Sequence, residues 1–159
     1  MQQKKSDKSF TFDEILRKAE SYCAYQERCH NEVIQKLKTF TASETVIDNA
    51  MVHLIQNNFL NEERFACSFA RGKHRIKHWG RIRIVRELKA RSISKYTIDK
   101  ALKEIDSEEY FAKFNTLSEK IWESISEKNI QKKKKKFCDY LLRKGFETSL
   151  IYEKLQDLV

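Results

Sequence analysis

Apolar residues along this chain recur at helical spacing, and three stretches repeat one template. Leu37 is followed by Ile47, Met51 and Leu54; Leu88 by Ile98, Leu102 and Ile105; Leu141 by Ile151, Leu155 and Leu158. The steps are ten, four and three residues in each stretch, and the stretches start 51 and 53 residues apart. A period of this size marks a tandem array of small helical units. One such unit cannot bury its apolar face alone, so neighbours stack and leave a long exposed surface. The expected fold is all-α: an elongated, curved array of three tandem three-helix repeats. The repeats are placed at 11–60, 61–106 and 107–159, after a flexible N-terminal extension over residues 1–10.

Local signals divide each repeat into helices. Thr11 and Glu14 form a capping-box pattern, and Phe12, Ile15, Leu16, Ala19, Tyr22 and Cys23 then fall on one helical face. A second helix is expected around 29–39 with Val33, Ile34 and Leu37 inward. Thr41 to Glu44 is another capping-box pattern, opening a helix that runs to about Asn57. In the second repeat Asn61 caps, and Glu62 and Glu63 sit in a first turn, where the helix dipole favours acids. Phe65, Ala66, Phe69 and Ala70 form its apolar stripe. Gly80 ends a linker into a helix with Ile82, Ile84 or Val85, and Leu88 facing in; Ile93 plugs the next turn and Ser94 caps Tyr96 to Ile105. The third repeat starts near Asp106 or Ser107. Its first helix carries Tyr110, Phe111, Phe114, Leu117, Ile121, Trp122 and Ile125. The helix that begins in 128–136 carries Phe137, Leu141 and Leu142, and Gly145 stops it. Phe146 stands in the place of Ile93, and Leu150 to Val159 closes the array. The first repeat departs at this turn position, where it has Ala42. With Val159 one residue past the last template position, no further repeat is expected.

Composition supports a helical chain. There are no prolines and only three glycines among 159 residues, and both residue types weaken helix interiors. The alternating β-branched runs of a sheet are missing. No apolar run has the length of a membrane span, and the start has lysines but no apolar core of a signal peptide. The four cysteines form no CxxC pair. They read as reduced cytosolic thiols, and a zinc site at Cys29 and His30 lacks spaced partners. A cytoplasmic protein without metal or cofactor is expected.

Charge changes the picture more. The chain carries a net +9, which favours an acidic partner, most often nucleic acid. Arg71, Lys73, Arg75, Lys77, Arg81, Arg83, Arg86, Lys89 and Arg91 face a single acid, Glu87. Nine bases against one acid place +8 within 21 residues. Such a segment suits a phosphate backbone, with salt-sensitive and sequence-tolerant binding to single- or double-stranded DNA. Trp79, within it, is either a packed aromatic or a platform for an unpaired base. Lys132, Lys133, Lys134, Lys135 and Lys136 form a second basic run. It opposes the dipole of the helix it opens, so that end frays unless something anionic lies there. An auxiliary contact to phosphate or an acidic surface is expected.

Catalytic constellations are absent: no GxxxxGK[ST], GxSxG or HExxH occurs. Cys29 and His30 are adjacent on a helix and point apart. A metal-dependent nuclease needs clustered carboxylates, whereas Glu62–Glu63 and Glu108–Glu109 stand at helix starts, where the dipole explains them. The chain reads as a binding protein rather than an enzyme.

The phrase Leu60-Asn61-Glu62-Glu63-Arg64-Phe65-Ala66 resembles the "LDDxRFA" signature of the RecX family of bacterial recombination regulators. Asn61 and Glu62 replace the two aspartates and keep the helix-capping chemistry. Gly80-Arg81-Ile82-Arg83, Glu87-Leu88, Ile93 and Ala101-Leu102 follow in the family's order, and the resemblance runs over about residues 12 to 159. It implies tandem three-helix units and a regulator of RecA. Such a regulator binds within the groove of the RecA–DNA filament and restrains filament growth, ATP hydrolysis and strand exchange. A monomer is expected. The competing reading is a helical DNA-binding module acting without RecA, such as a helix-turn-helix repressor.

Overall fold

The computed structural model describes residues 9–159. Most of the expected extension, residues 1–8, therefore lies outside the described residues. Within them the chain is all-α, with α1 Phe12–Tyr25, α2 His30–Lys38, α3 Glu44–Gln56, α4 Glu62–Lys77, α5 Arg81–Ala90, α6 Lys95–Leu102, α7 Ser107–Ser124, α8 Ile130–Lys144 and α9 Thr148–Leu158. These helices belong to two compact units, one ending at Phe65 and the other spanning Ala66–Val159. None of the helices is long and apolar enough to cross a membrane.

Short polar residues start most helices by accepting an otherwise orphaned main-chain N–H. Thr11 accepts from Glu14, Asn61 from Arg64, Ser94 from Thr97, Asp106 from Glu109 and Asn129 from Lys132, at 2.9–3.3 Å. At α3 the cap is Ser43, which accepts from Val46, and not Thr41. Thr41 instead accepts from the Ser43 N–H, so the start shifts two residues downstream.

The first unit packs α1, α2 and α3 around Ile15, Ala19, Val33, Leu37, Ala50 and Leu54. Phe10, from the expected extension, meets the Phe40 ring edge-on at 5.8 Å. Phe12 lies outward, at 42% exposure. In the second unit Tyr110, Phe114, Phe137, Phe146, Ile84 and Leu88 are fully buried. Phe146 packs between Tyr110 and Phe114, at 5.7 and 5.0 Å. Ile82, one of the residues expected inward, is largely exposed, as are Phe111 and Leu142.

The repeat template has a consistent physical meaning. Its first two positions are buried in all three copies, and its third (Met51, Leu102, Leu155) is half-buried in all three. The turn after the first position explains the Ile93–Phe146 match. The Ile93 N–H donates to Leu88 O, and the Phe146 N–H to Leu141 O. Each is the six-to-one bond of a Schellman turn with an apolar residue tucked beneath it. The preceding residues, Ser92 and Gly145, have left-handed φ of 60° and 91°. The first repeat lacks such a residue at Thr41, and its Ala42 is exposed.

One junction ties α5 to α7, α8 and α9. Gly80 caps α5 without a side chain, so the first N–H groups of α5 need partners from elsewhere. The Gly80 N–H donates to Lys144 O at 2.7 Å and the Ile82 N–H to Gly145 O at 3.0 Å. Between them the Arg81 N–H donates to the Tyr110 hydroxyl at 3.1 Å, which itself donates to the Glu147 carboxylate at 2.6 Å. Burial and the bond to Glu147 push the Tyr110 phenol far above its usual range. The approach requires glycine on both sides: a Cβ on Gly80 would overlap the Gly145 carbonyl, and one on Gly145 would overlap the Arg83 main chain. Gly80→Ala is therefore expected to cost about 3 kcal/mol, the upper end for an overpacked site. Urea unfolding followed by the fluorescence of Trp79 and Trp122, both in the second unit, measures this; an unchanged midpoint would contradict it.

Candidate functional site

The basic segment folds into the C-terminal half of α4, a short linker and α5. Its cations separate into three groups. Four meet carboxylates: Arg71 pairs with Glu104 (2.9 Å), Arg75 with Glu109 (3.4 Å), Arg81 with Glu147 (3.8 Å) and Arg91 with Glu87 (3.1 Å). Two lie over the Trp79 ring, Lys73 at 5.0 Å and Arg83 at 4.1 Å, and Arg83 also donates to Arg143 O. The side chains of Lys77, Arg86 and Lys89 are exposed and have no partner among the described residues. Three of the four paired acids come from outside residues 71–91, so a local count overstates the bare charge. Trp79 is half-buried and meets Phe69 edge-on at 6.1 Å. That geometry is the packed aromatic of the two readings.

Three lysines that sequence reasoning left aside join this surface. Lys113 of α7 donates to Arg75 O at 3.2 Å, and Lys144 of α8 donates to Lys77 O at 3.0 Å. Both ammoniums thereby cap the C-terminal carbonyls of α4, where the helix dipole favours cations. Each keeps two further N–H donors. With Lys120 and His78, Lys113 lines an open groove of about 300 Å³ floored by Ala112 and Leu117. Burial and then the like charges of Lys113, Lys144 and Lys120 hold His78 below the usual histidine range. Burial and then Arg83 and Lys77 lower Lys144. These lysines lie far along the chain from the α4 carbonyls and carry no local pattern. Only Lys144, a base in a last helical turn, carried a signal that could have found it.

The lysine run occupies the first two turns of α8. Glu127 supplies the anion that this start needs: it accepts from the Asn129 N–H at 3.1 Å and pairs with Lys136 at 3.2 Å. Those two interactions hold its carboxyl below the usual carboxylate range. Lys135 pairs with Asp139, and Lys133 lies over the Trp122 ring. The side chains of Lys132 and Lys134 have no partner among the described residues.

His74, inside the basic segment, serves the core. It continues the buried side of α4 after Ala66 and Ala70, stacks on Tyr110 at 5.1 Å, and its Nδ1–H donates to Trp79 O at 3.0 Å. Its Nε2 is buried with no partner. Cys23, Cys29 and Cys138 are buried and form no disulfide, and burial raises Cys23 and Cys138. His53 is half-buried against Glu20, at 2.6 Å. Among the described residues no group of three His, Cys, Asp or Glu could hold a metal ion. What the surface can do chemically is bind anions.

Among the described residues, nine helices in short-linked groups of three, with a cation-rich second group, define an all-α tandem-repeat protein. Known proteins narrow the class. The family models for the second and third three-helix domains of RecX match residues 61–102 and 108–155, together more than half of the chain. The regulatory protein RecX of Bacillus cytotoxicus is 26% identical over 138 residues, covering 87% of this chain and 51% of that protein. That of Lactobacillus gasseri is 33% identical over 95 residues, covering 60% and 35%. The crystal structure of RecX from Lactobacillus salivarius is similar with a TM-score of 0.77, at 27% identity over 93% of this chain and 97% of that one. A second RecX structure, 23% identical, shares the fold with the same score. The chain belongs to the RecX family of regulatory proteins. It spans about half the length of the curated relatives it matches.

His74 generates a pH dependence. Burial, with help from Lys113 and His78 and against the Trp79 carbonyl and Glu109, holds its imidazole below the usual histidine value. The unfolded chain therefore takes up this proton near pH 6.5, before the folded chain does. The contribution is fully present above about pH 6.5 and is lost as pH falls below it. Urea midpoints should drop between pH 7 and pH 5.5, and less steeply in His74→Phe. Equal slopes in the two proteins would refute this.

Proposed function

We propose that this chain is a non-enzymatic regulator that binds the RecA–DNA filament and limits filament growth, ATP hydrolysis and strand exchange. The observation that carries the reading is the set of cations left bare by internal pairing. Arg83, Arg86 and Lys89 recur in steps of three along one side of α5. Arg86 and Lys89 project from it unpaired, and Lys77, Lys120 and Lys144 belong to the same unit. Membership in a family of regulatory proteins supports the RecA partner. Phosphates or an acidic protein surface would satisfy these cations; neither calls for a catalytic group. The protein acts as a monomer in the cytoplasm, and the lysine run adds contact through Lys132 and Lys134.

The test is RecA ATPase activity on single-stranded DNA with and without this protein. Loss of turnover at substoichiometric amounts is the expected result, and no effect at saturating amounts removes the reading. Sequence-selective binding to duplex DNA without RecA would favour a repressor-like module instead. For residue roles, Arg81 and Arg83 are poor targets because they also serve the α5 junction. Arg86→Glu with Lys89→Glu leaves those bonds intact. This pair should weaken binding to the filament and to DNA, lowering the salt slope on single strands by about 1–1.5. A folded double variant with unchanged binding would clear α5 of this role.

A further inference from the structure

The first unit is acidic in sum: residues 9–65 hold six bases against nine acids. Its bases are nevertheless not dispersed among those acids. Arg17 and Lys18 of α1 and Lys36 of α2 line one open groove of about 500 Å³ together with Ser21, Tyr22 and Phe40. Arg28, outside the lining, holds its guanidinium 3.8 Å from the centre of the Tyr22 ring. Among the described residues no carboxylate lines this groove. Four of the nine acids are engaged elsewhere: Glu20 with His53, Glu27 with Arg64, Glu62 with His30, and Glu32 with the Cys29 N–H. We infer that this groove between α1 and α2 is a second anion site, and that it takes the phosphodiester backbone of a nucleic-acid strand.

Like charges gathered without a counter-ion repel, so something must hold them. Aromatic faces do this here. The Lys18 ammonium lies 4.8 Å from the Phe10 ring centre and 5.8 Å from that of Phe40. The Lys36 ammonium lies 5.3 Å from Tyr22 and 5.7 Å from the same Phe40 ring. Both lysines thus lean over one ring from different helices, which places their N–H donors around a common space. Cation–π attraction positions a cation without neutralising it, unlike the ion pairs of the basic segment. An incoming anion therefore meets full charge. The donors lining the groove are side-chain groups: a guanidinium, two ammoniums and hydroxyls. They match the isolated oxyanions of a phosphate chain, whereas a docked peptide also needs partners for its main chain. With cations as the groove's recognition groups, binding reads the backbone irrespective of sequence.

The inference rests on nucleic acid being a partner, but on none of the α4–α5 cations. The experiment measures binding of the full chain to a labelled oligothymidylate and to a mixed-sequence strand by fluorescence anisotropy across a salt series. Lys18→Glu with Lys36→Glu is expected to bind both strands about tenfold more weakly at low salt. Its salt slope should be lower by about 1–1.5, two single-strand phosphate contacts. Lys18→Gln with Lys36→Gln should show the smaller loss and reads the same effect if charge reversal unfolds the unit. If both variants bind like the unmodified chain while Arg86→Glu with Lys89→Glu does not, this groove is no phosphate site and the α5 reading stands. If the unmodified chain binds neither strand, the nucleic-acid reading fails, and this inference with it. Weakened binding to the RecA filament with unchanged binding to bare strands would overturn the phosphate assignment in favour of an acidic protein surface.

Discussion

The second unit depends on one helix beginning where another ends. The start of α5 presents N–H groups with no partner in its own helix, and the end of α8 presents carbonyls with none in its own. Gly80, Ile82, Lys144 and Gly145 satisfy each other directly, so two sets of orphaned groups become hydrogen bonds. The helix dipoles agree with this, since the positive end of α5 faces the negative end of α8. Nothing with a side chain fits at Gly80 or Gly145. Tyr110 and Glu147 complete the cluster from α7 and the start of α9, which is how the second and third repeats come to share one core.

That junction also sorts the charges. Arg81 lies over the Tyr110 ring at 4.0 Å and faces Glu147, and Arg83 donates to the last turn of α8. Both are thereby committed to structure as well as to charge. The pairs of Arg71 and Arg75 with Glu104 and Glu109 are partly exposed, and such pairs contribute little stability, about 0–1 kcal/mol. Their larger effect is to quench local positive potential. What remains unpaired is narrower than the run of basic letters: Lys77, Arg86 and Lys89, with Lys120 brought in from the third repeat and Lys144 beside them on the Lys77 carbonyl. The resulting surface draws on residues from 77 to 144, and no contiguous segment contains it.

Much of the architecture was legible because it rests on local rules. Capping by Thr11, Asn61 and Ser94 depends on residues three apart. The burial of Leu37, Leu88 and Leu141 follows from helical periodicity. The Ile93–Phe146 match is one turn geometry used twice. The errors share a cause as well. Phe12 and Ile82 lie on helices with more apolar residues than their buried stripe can hold, and periodicity alone cannot choose among adjacent candidates. His74 was hidden because its neighbours are basic, although its four-residue step from Ala70 places it on the buried side. Tyr110, Lys113 and Lys144 act through partners 29–67 residues away, and no spacing rule encodes those.

The two units present cations by different physical means, and this bears on how a regulator of this family could respond to its surroundings. In the basic segment several cations are met by glutamates across 3–4 Å of partly exposed space, where salt screens a pair and its attraction for a third charge alike. In the first unit the cations rest on aromatic faces, and no acid competes for them in the groove. A phosphate approaching Arg71 or Arg75 must contend with a resident carboxylate; one approaching Lys18 or Lys36 does not. Charge that is counted along a sequence is therefore a weak guide to charge that a ligand encounters. The pairing of each base decides the difference, and here it leaves the acidic unit with a bare cationic groove and the basic unit with a partly quenched one.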